Sequence, residues 1–131
     1  MKIVYAAIVV LLALPLPAHA IDFAQPIMTL DNEPMHQKVL PNGDFDPDSP
    51  ILTLARVSQT ALLSDYRDET NLDPVEKQKR FWLAEKIHNQ QKDPVLSPEE
   101  IATIKKLVAK AYNSLVMGRA WHLLDPTSDP K

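Results

Sequence analysis

The chain has 131 residues, which is enough for one domain of ordinary size and too few for two. It contains no cysteine, which excludes disulfides, thiolate metal sites and a cysteine nucleophile. The formal net charge is -3, and there are 2 glycines against 12 prolines, so the composition argues against nucleic-acid binding through bulk charge and against a glycine-rich phosphate loop.

The first twenty residues have the pattern of a secretory signal peptide. Lys2 gives a positive start, residues 3–16 are apolar, and Ala18-His19-Ala20 is a small-x-small cleavage site. An uncleaved membrane anchor or a buried helix is the alternative interpretation, but two prolines break the helix just before the site. The pattern therefore predicts cleavage after Ala20 and a periplasmic or secreted protein that is not attached to a membrane.

Residues 21–49 are predicted to form an extended, proline-rich arm. Two apolar stretches, 26–30 and 35–40, flank Asp31-Asn32-Glu33-Pro34 as the strands of a hairpin would. Prolines confine such strands to an edge, so the arm either lies on the helical body or extends toward a partner. An arm of this kind often becomes ordered when it binds.

The arm ends in a turn with three carboxylates at alternate positions, at Asp44, Asp46 and Asp48. Calcium loops use this spacing. However, Ser49 stands where such a loop needs glycine, and Ala55 stands where it needs a bidentate glutamate. We favour a solvated turn that caps a helix beginning at Pro50.

The rest of the chain predicts an all-α domain over residues 50–125, followed by a disordered tail over 126–131. Apolar periodicity and proline-led starts predict three main helices at 50–66, 74–90 and 98–112, and a short fourth helix at 114–124. The short connections favour a compact bundle.

The second and third helices have similar start signals. Asp73-Pro74-Val75-Glu76 and Ser97-Pro98-Glu99-Glu100 each place a cap, a proline at the first helical position and a glutamate at the third. Leu96 and Ile101 flank the Ser97 start as a hydrophobic staple. We interpret the likeness as shared helix-start chemistry and not as an internal repeat.

No set of residues predicts catalysis, a metal or a cofactor. The histidines after residue 20 are His36, His88 and His122, and no two have the spacing of metal ligands on a helix. No serine stands in a G-x-S-x-G motif, and there is no cofactor fingerprint. We interpret the acidic residues between the first two helices as a solvated link. The sequence therefore predicts no enzymatic activity, no metal site and no cofactor.

The second helix carries several basic residues, which are predicted to face outward: Lys77, Lys79, Arg80 and Lys86. Interspersed glutamates and the export signal argue against a nucleic-acid partner. For the larger aromatic residues, Phe81, Trp82, Tyr112 and Trp121, core positions are favoured over an exposed anchor patch. If they are exposed, these four residues and Arg119 are the candidate protein interface.

Four stretches after residue 20 resemble a loose group of small phage- and prophage-encoded proteins of uncharacterised function. They are Ile21-Asp22-Phe23-x-Gln25-Pro26-Ile27, Glu76-Lys77 with Arg80-Phe81-x-Leu83-Ala84-x-Lys86-Ile87, Glu100-Ile101-Ala102-x-Ile104-Lys105-Lys106-Leu107, and Val116-x-Gly118-Arg119-Ala120-Trp121-x-Leu123-Leu124-Asp125. The resemblance implies a role in virion assembly or host interaction without enzymatic activity. The signal peptide departs from that pattern.

These observations lead to two functional hypotheses. The first is a non-enzymatic protein–protein interaction module derived from a phage or prophage, whose partner and oligomeric state the sequence does not specify. The alternative is a small periplasmic protein that binds a ligand or inhibits an enzyme. Burial of both Trp82 and Trp121 beside a deep apolar pocket with converging polar groups favours the alternative, whereas one exposed apolar surface formed by Trp121 and the arm favours the module.

Overall fold

A computed structural model describes residues 20–128, so most of the predicted signal peptide and the last three residues lie outside the described part. The helices, in chain order, are α1 (Leu54–Leu63), α2 (Pro74–Asn89), α3 (Pro98–Ala111) and α4 (Ser114–Leu124). A short 3-10 helix, Pro126–Ser128, follows where the tail was predicted to begin. The prediction of a compact all-α bundle with a hairpin-like arm is confirmed.

Helix α1 is shorter than the predicted 50–66. It begins after Thr53, whose side-chain oxygen accepts a hydrogen bond from the backbone N–H of Arg56 at 3.2 Å. The backbone just before it is occupied by the arm, since Leu52 N–H donates to the Met35 carbonyl at 2.7 Å. The prediction that Pro50 leads this helix is therefore wrong, because strand-like pairing with the arm takes the backbone groups that a helix would need.

The other three helices begin at the predicted residues, Pro74, Pro98 and Ser114. Asp73 caps α2 by accepting from the N–H of Val75 at 2.9 Å, and Asn113 caps α4. At α3 the full capping box forms: Ser97 Oγ accepts from Glu100 N–H at 3.1 Å, and Glu100 Oε1 accepts from Ser97 N–H at 2.9 Å. Reciprocal bonding satisfies two helix-end donors at once.

Helix α1 lies at the centre of the bundle. It packs against both α2 and α3, while α4 packs chiefly against α3. The buried residues of the helices, other than Ser58 and Arg80, are aliphatic: Leu54, Ala55, Val57, Ala61, Leu62, Leu83, Ala84, Ile87, Ile104, Leu107, Val108, Val116, Ala120 and Leu124. This arrangement leaves α2 at one edge, with neighbouring helices on one side only.

The N-terminal arm lies on the helical body. Its hairpin is closed by hydrogen bonds from Thr29 N–H to the Glu33 carbonyl and from Met35 N–H to the Ile27 carbonyl, each at 2.8 Å. Asn32, at the turn, has φ 60, which asparagine tolerates better than most residues. The buried residues of the arm belong to the same core as the helices: Ile21, Phe23, Ile27 and Met35. The arm is thus ordered by its own chain.

Candidate interaction surface

Helix α2 carries apolar residues on two opposite faces. Leu83 and Ile87 are buried against the bundle, whereas Val75, Phe81 and Trp82 are 59%, 51% and 57% exposed. Successive residues of a helix are about 100° apart, so the face that buries Leu83 and Ile87 turns Phe81 and Trp82 toward solvent. The favoured core position for these two aromatics is therefore wrong.

Arg80 takes an inward position on the same helix, although it is predicted to face outward. Its guanidinium donates to both carboxylate oxygens of Glu69, with the Nη1 bond at 2.9 Å, and its Nε lies 4.0 Å from Glu76. The side chains of Arg80 and Glu69 are 8% and 12% exposed, so this part of the acidic link is not solvated as predicted. The hydrogen bonds from Arg80 hold the pKa of Glu69 below its ordinary value.

Lys110 of α3 joins this ion pair to the rest of the bundle. Its Nζ lies 2.8 Å from Asp68, 3.8 Å from Glu69 and 5.3 Å from the centre of the Tyr66 ring. Burial raises the pKa of Tyr66, whose hydroxyl donates to the Ala61 carbonyl at 2.6 Å and lies 3.3 Å from the Leu107 carbonyl. Because both carboxylates are occupied by cations, we interpret this cluster as a tie between the α1–α2 connection and α3.

Beside Trp82 lies an open groove of about 480 Å³ between α2 and α3. It forms because these two helices pack mainly against α1 and not against each other. Lys86 Nζ approaches Glu100 Oε1 at 3.5 Å across it. The groove is lined by Glu76, Lys79, Arg80, Trp82, Leu83, Lys86, Glu99, Glu100 and Thr103. The exposed indole therefore adjoins a concave surface of mixed polarity.

The other three residues of the predicted interface contribute to the fold. Trp121 is partly buried and donates from its indole N–H to the Lys105 carbonyl at 3.0 Å, while Lys105 Nζ lies 4.6 Å from the ring centre. Arg119 donates to the carbonyl of Thr29 at 2.7 Å and so holds the hairpin turn against α4. Tyr112 caps the end of α3 and is partly buried. These three residues therefore stabilise the fold, whereas Phe81 and Trp82 of α2 are exposed to solvent.

A second groove, of about 570 Å³, is formed by residues that are distant in the sequence. Its lining is mainly apolar, with Ile21, Pro94, Val95, Leu96, Pro98, Ile101, Leu124 and Pro126 beside Asp93, Asp125 and Thr127. Val95 is 82% exposed. This groove could not be predicted from the sequence because the arm, the α2–α3 connection and the end of α4 meet only in the folded chain. The apolar run Pro94-Val95-Leu96 was the available signal.

The alternating carboxylates after the hairpin form hydrogen-bonded turns. Asp44 N–H donates to the side chain of Asn42 at 3.1 Å, and Asp48 N–H donates to the side chain of Asp46 at 2.9 Å. Within residues 20–128, no group of three or more histidine and carboxylate side chains is arranged to hold a metal ion.

Comparison of the chain with protein-family models, with curated proteins and with solved structures finds no match. The resemblance to phage-encoded proteins therefore stays a prediction. In the described part of the chain, no helix has the length and apolar character needed to cross a membrane.

Proposed function

We propose that the protein is a non-enzymatic interaction module that binds another protein through the outward face of α2, which consists of Val75, Phe81 and Trp82. The observation that carries this proposal is the exposure of more than half of each of these side chains on a helix whose opposite face already fills the core. Aromatic side chains are enriched at the centres of protein interfaces, where their burial contributes most of the binding energy.

The position of the aromatic pair favours a helical partner segment. Phe81 and Trp82 are the two middle residues of α2, which has 16 residues and is roughly 24 Å long. A partner helix lying along α2 would bury both rings at its centre, and one of its side chains could enter the adjoining groove. This is the helix-in-groove mode, in which apolar residues on one face of the partner provide the anchors.

The charges on α2 favour an acidic flank on that partner helix. Arg80 and Lys86 are paired with carboxylates of the fold, whereas Lys77 and Lys79 form no ion pair within the described residues. Glu85 is the opposing charge on the outward face. An amphipathic partner helix with acidic residues toward Lys79, which lines the groove beside Trp82, would complement this surface and bind faster at low salt.

The second candidate function is binding of a small apolar ligand, and the groove near Val95 favours it. Its volume of about 570 Å³ lies within the usual range of ligand sites. Asp93 in its lining suits an apolar ligand that also carries one positive charge. We rank this function second because the groove is open and part of its wall is the exposed Val95 side chain.

The test is affinity capture from the native host with the tagged protein carrying Phe81→Gln and Trp82→Gln together. Leu30→Gln is the matched control, because Leu30 is 79% exposed but lies on the hairpin. We expect the double variant to recover at least about tenfold less of any partner than the wild type or the control, as loss of central anchors costs 2 kcal/mol or more. Equal recovery by all three proteins would exclude α2 as the docking surface.

Point substitutions are needed because the arm cannot be deleted cleanly. Phe23 and Ile27 are fully buried in the common core, so removal of residues 21–50 would remove part of the core along with any binding surface. A thermal melt of each variant distinguishes lost binding from lost folding. A captured partner should then protect Trp82 from solvent, which a change in its fluorescence would report.

A further inference from the structure

The residue that follows the predicted cleavage site is built into the fold. Ile21 is 5% exposed, and its carbonyl accepts from the N–H of Asp93 at 2.9 Å. Two residues later, Phe23 N–H donates to the Gln91 carbonyl at 2.8 Å. The described residue before this segment, Ala20, is exposed. Among residues 20–128, the backbone hydrogen bonds between the arm and the α2–α3 connection begin at Ile21, the first residue of the predicted mature chain.

The register of this pairing places Asp93 opposite the residue that begins the predicted mature chain. Asp22 and Lys92 form an antiparallel bridge, so Ile21 stands opposite Asp93. Residues opposite each other in antiparallel pairs have Cα atoms roughly 5.5 Å apart or closer. Asp93 is exposed and forms no ion pair within the described residues. Ile21, Asp93 and Asp125 also line the same groove.

We propose that the α-ammonium group created by cleavage before Ile21 binds at this groove through an ion pair with Asp93, so that processing completes the anchor of the arm. Hydrolysis of the Ala20–Ile21 peptide bond adds one water molecule and leaves the Ala20 carboxylate and the Ile21 ammonium. The unprocessed chain has a neutral amide at this position. The proposal rests on the predicted cleavage and is independent of the interaction proposed for α2.

The charges around Ile21 favour a cation. The ionisable side chains that face this end of the arm are Asp22, Lys92, Asp93, Lys105, His122 and Asp125. Lys105 is already paired with Asp125 at 3.3 Å. An additional ammonium beside Asp93 is therefore attracted, whereas a bulky extension of the chain would have to leave the groove. Because the ion pair is formed only by the processed chain, it distinguishes the mature protein from its precursor.

Two proteins test the proposal, one beginning at Ile21 after cleavage of a fusion and one carrying Gly-Ser in front of Ile21. Both have a terminal ammonium, but only the first places it opposite Asp93. At pH 6.5 we expect the first to melt about 3 °C higher, which is the size that a partly exposed ion pair gives in a domain of this length. The difference should disappear when Asp93→Asn is introduced into both.

Asparagine is a suitable replacement because Asp93 has φ 45, a left-handed conformation that asparagine also tolerates. The substitution thus removes the charge without adding backbone strain. Equal melting temperatures of the two proteins, or an equal effect of Asp93→Asn in both, would overturn the proposal. So would a protein recovered from the native host whose intact mass still includes Met1.

A pH series gives an independent measurement of the same ion pair. Pairing should raise the pKa of the Ile21 α-amino group above the ordinary range of about 7.7–8.0. When the pKa of this group is higher in the folded protein than in the unfolded chain, the extra stability is fully present below the ordinary pKa. It is lost as the pH rises through the pKa of the folded protein. We expect the advantage of the Ile21 protein at pH 6.5 to vanish by about pH 10. An advantage that persists at that pH would contradict an ammonium–carboxylate contact.

Discussion

Helices α2 and α3 begin in the same way but are used differently by the fold. Each starts with a capping side chain and a proline, and each packs against α1. The buried residues of α3 are all aliphatic and share one face, and its opposite face is largely charged. Helix α2 instead buries an arginine with its aliphatic residues and exposes two aromatics. The caps determine where a helix begins, whereas the neighbouring helices determine which of its faces is buried.

The difference follows from the number of neighbours. Helix α3 lies against α1 and α4, while α2 lies against α1 alone among the described helices that it contacts extensively. A helix with apolar residues on two faces but one neighbour leaves one face without a partner in its own chain. Substitutions on the inner face of α2 should therefore change the stability of the fold, whereas substitutions on its outer face should change binding.

The largest expected effect is on the inner face. Ile87→Ala in α2 and Leu107→Ala in α3 remove fully buried side chains and should each lower the free energy of unfolding by about 3 kcal/mol. Urea unfolding followed by circular dichroism measures both. A loss below about 1 kcal/mol for Ile87→Ala alone would mean that α2 is not packed as described.

The next effect concerns the ion pair that only α2 buries. Glu69→Gln leaves the buried guanidinium of Arg80 without the carboxylate that pairs with it. This change should lower the free energy of unfolding by about 2 kcal/mol, because a buried charge without a partner is unfavourable. Replacing both residues, as Glu69→Gln with Arg80→Met, should cost less than the sum of the single changes. A double-mutant cycle in urea measures this coupling, and additive losses would contradict it.

The same pair predicts a difference in acid stability. The pKa of Glu69 is lowered by Arg80, so its contribution is present above the ordinary glutamate value of about 4.3 and is lost as the pH falls through the lower folded value. Asp68 and Asp125, whose pKa values are lowered by hydrogen bonds from Lys110 and Thr127, act in the same direction in both proteins. The difference in unfolding free energy between the wild type and Glu69→Gln should therefore become smaller as the pH falls from 6 to acid values. A constant gap in unfolding free energy would show that Glu69 is not paired.

Sequence reasoning predicted those features that are encoded locally. The predicted starts of α2, α3 and α4 agree with the structure. At α2 and α3 the capping side chain and the backbone N–H that donates to it lie within a few residues of each other. It failed where a distant segment competes, as when the arm takes the backbone of Leu52 and shortens α1. It also misplaced Phe81 and Arg80, because the helical period does not show which face has neighbours.

The N-terminal caps of α2 and α3 predict a smaller difference, in the free energy of unfolding that is lost when each cap is removed. Ser97→Ala in α3 removes one side of a reciprocal capping box, whereas Asp73→Ala in α2 removes a single hydrogen bond from Val75 N–H. We expect losses of about 1 kcal/mol or more for Ser97→Ala and somewhat less for Asp73→Ala. Thermal unfolding of both variants measures the order. The reverse order would show that the proline-led start of α2 depends on its cap more than that of α3.

The smallest effect on stability is expected on the outer face of α2, and the two tryptophans provide the matched comparison. Trp82→Gln should change the free energy of unfolding by no more than about 0.5 kcal/mol, because the exposed indole contributes little to the core and glutamine is a good helix former. Trp121→Gln should cost about 1–2 kcal/mol, since it removes the hydrogen bond to the Lys105 carbonyl and the contact of the Lys105 ammonium with the ring.

Urea unfolding measures both, and partner capture should show the opposite order, with the larger loss for Trp82→Gln. If Trp82→Gln destabilises the protein as much as Trp121→Gln, the outer face of α2 belongs to the fold and the interaction proposed for it loses its basis.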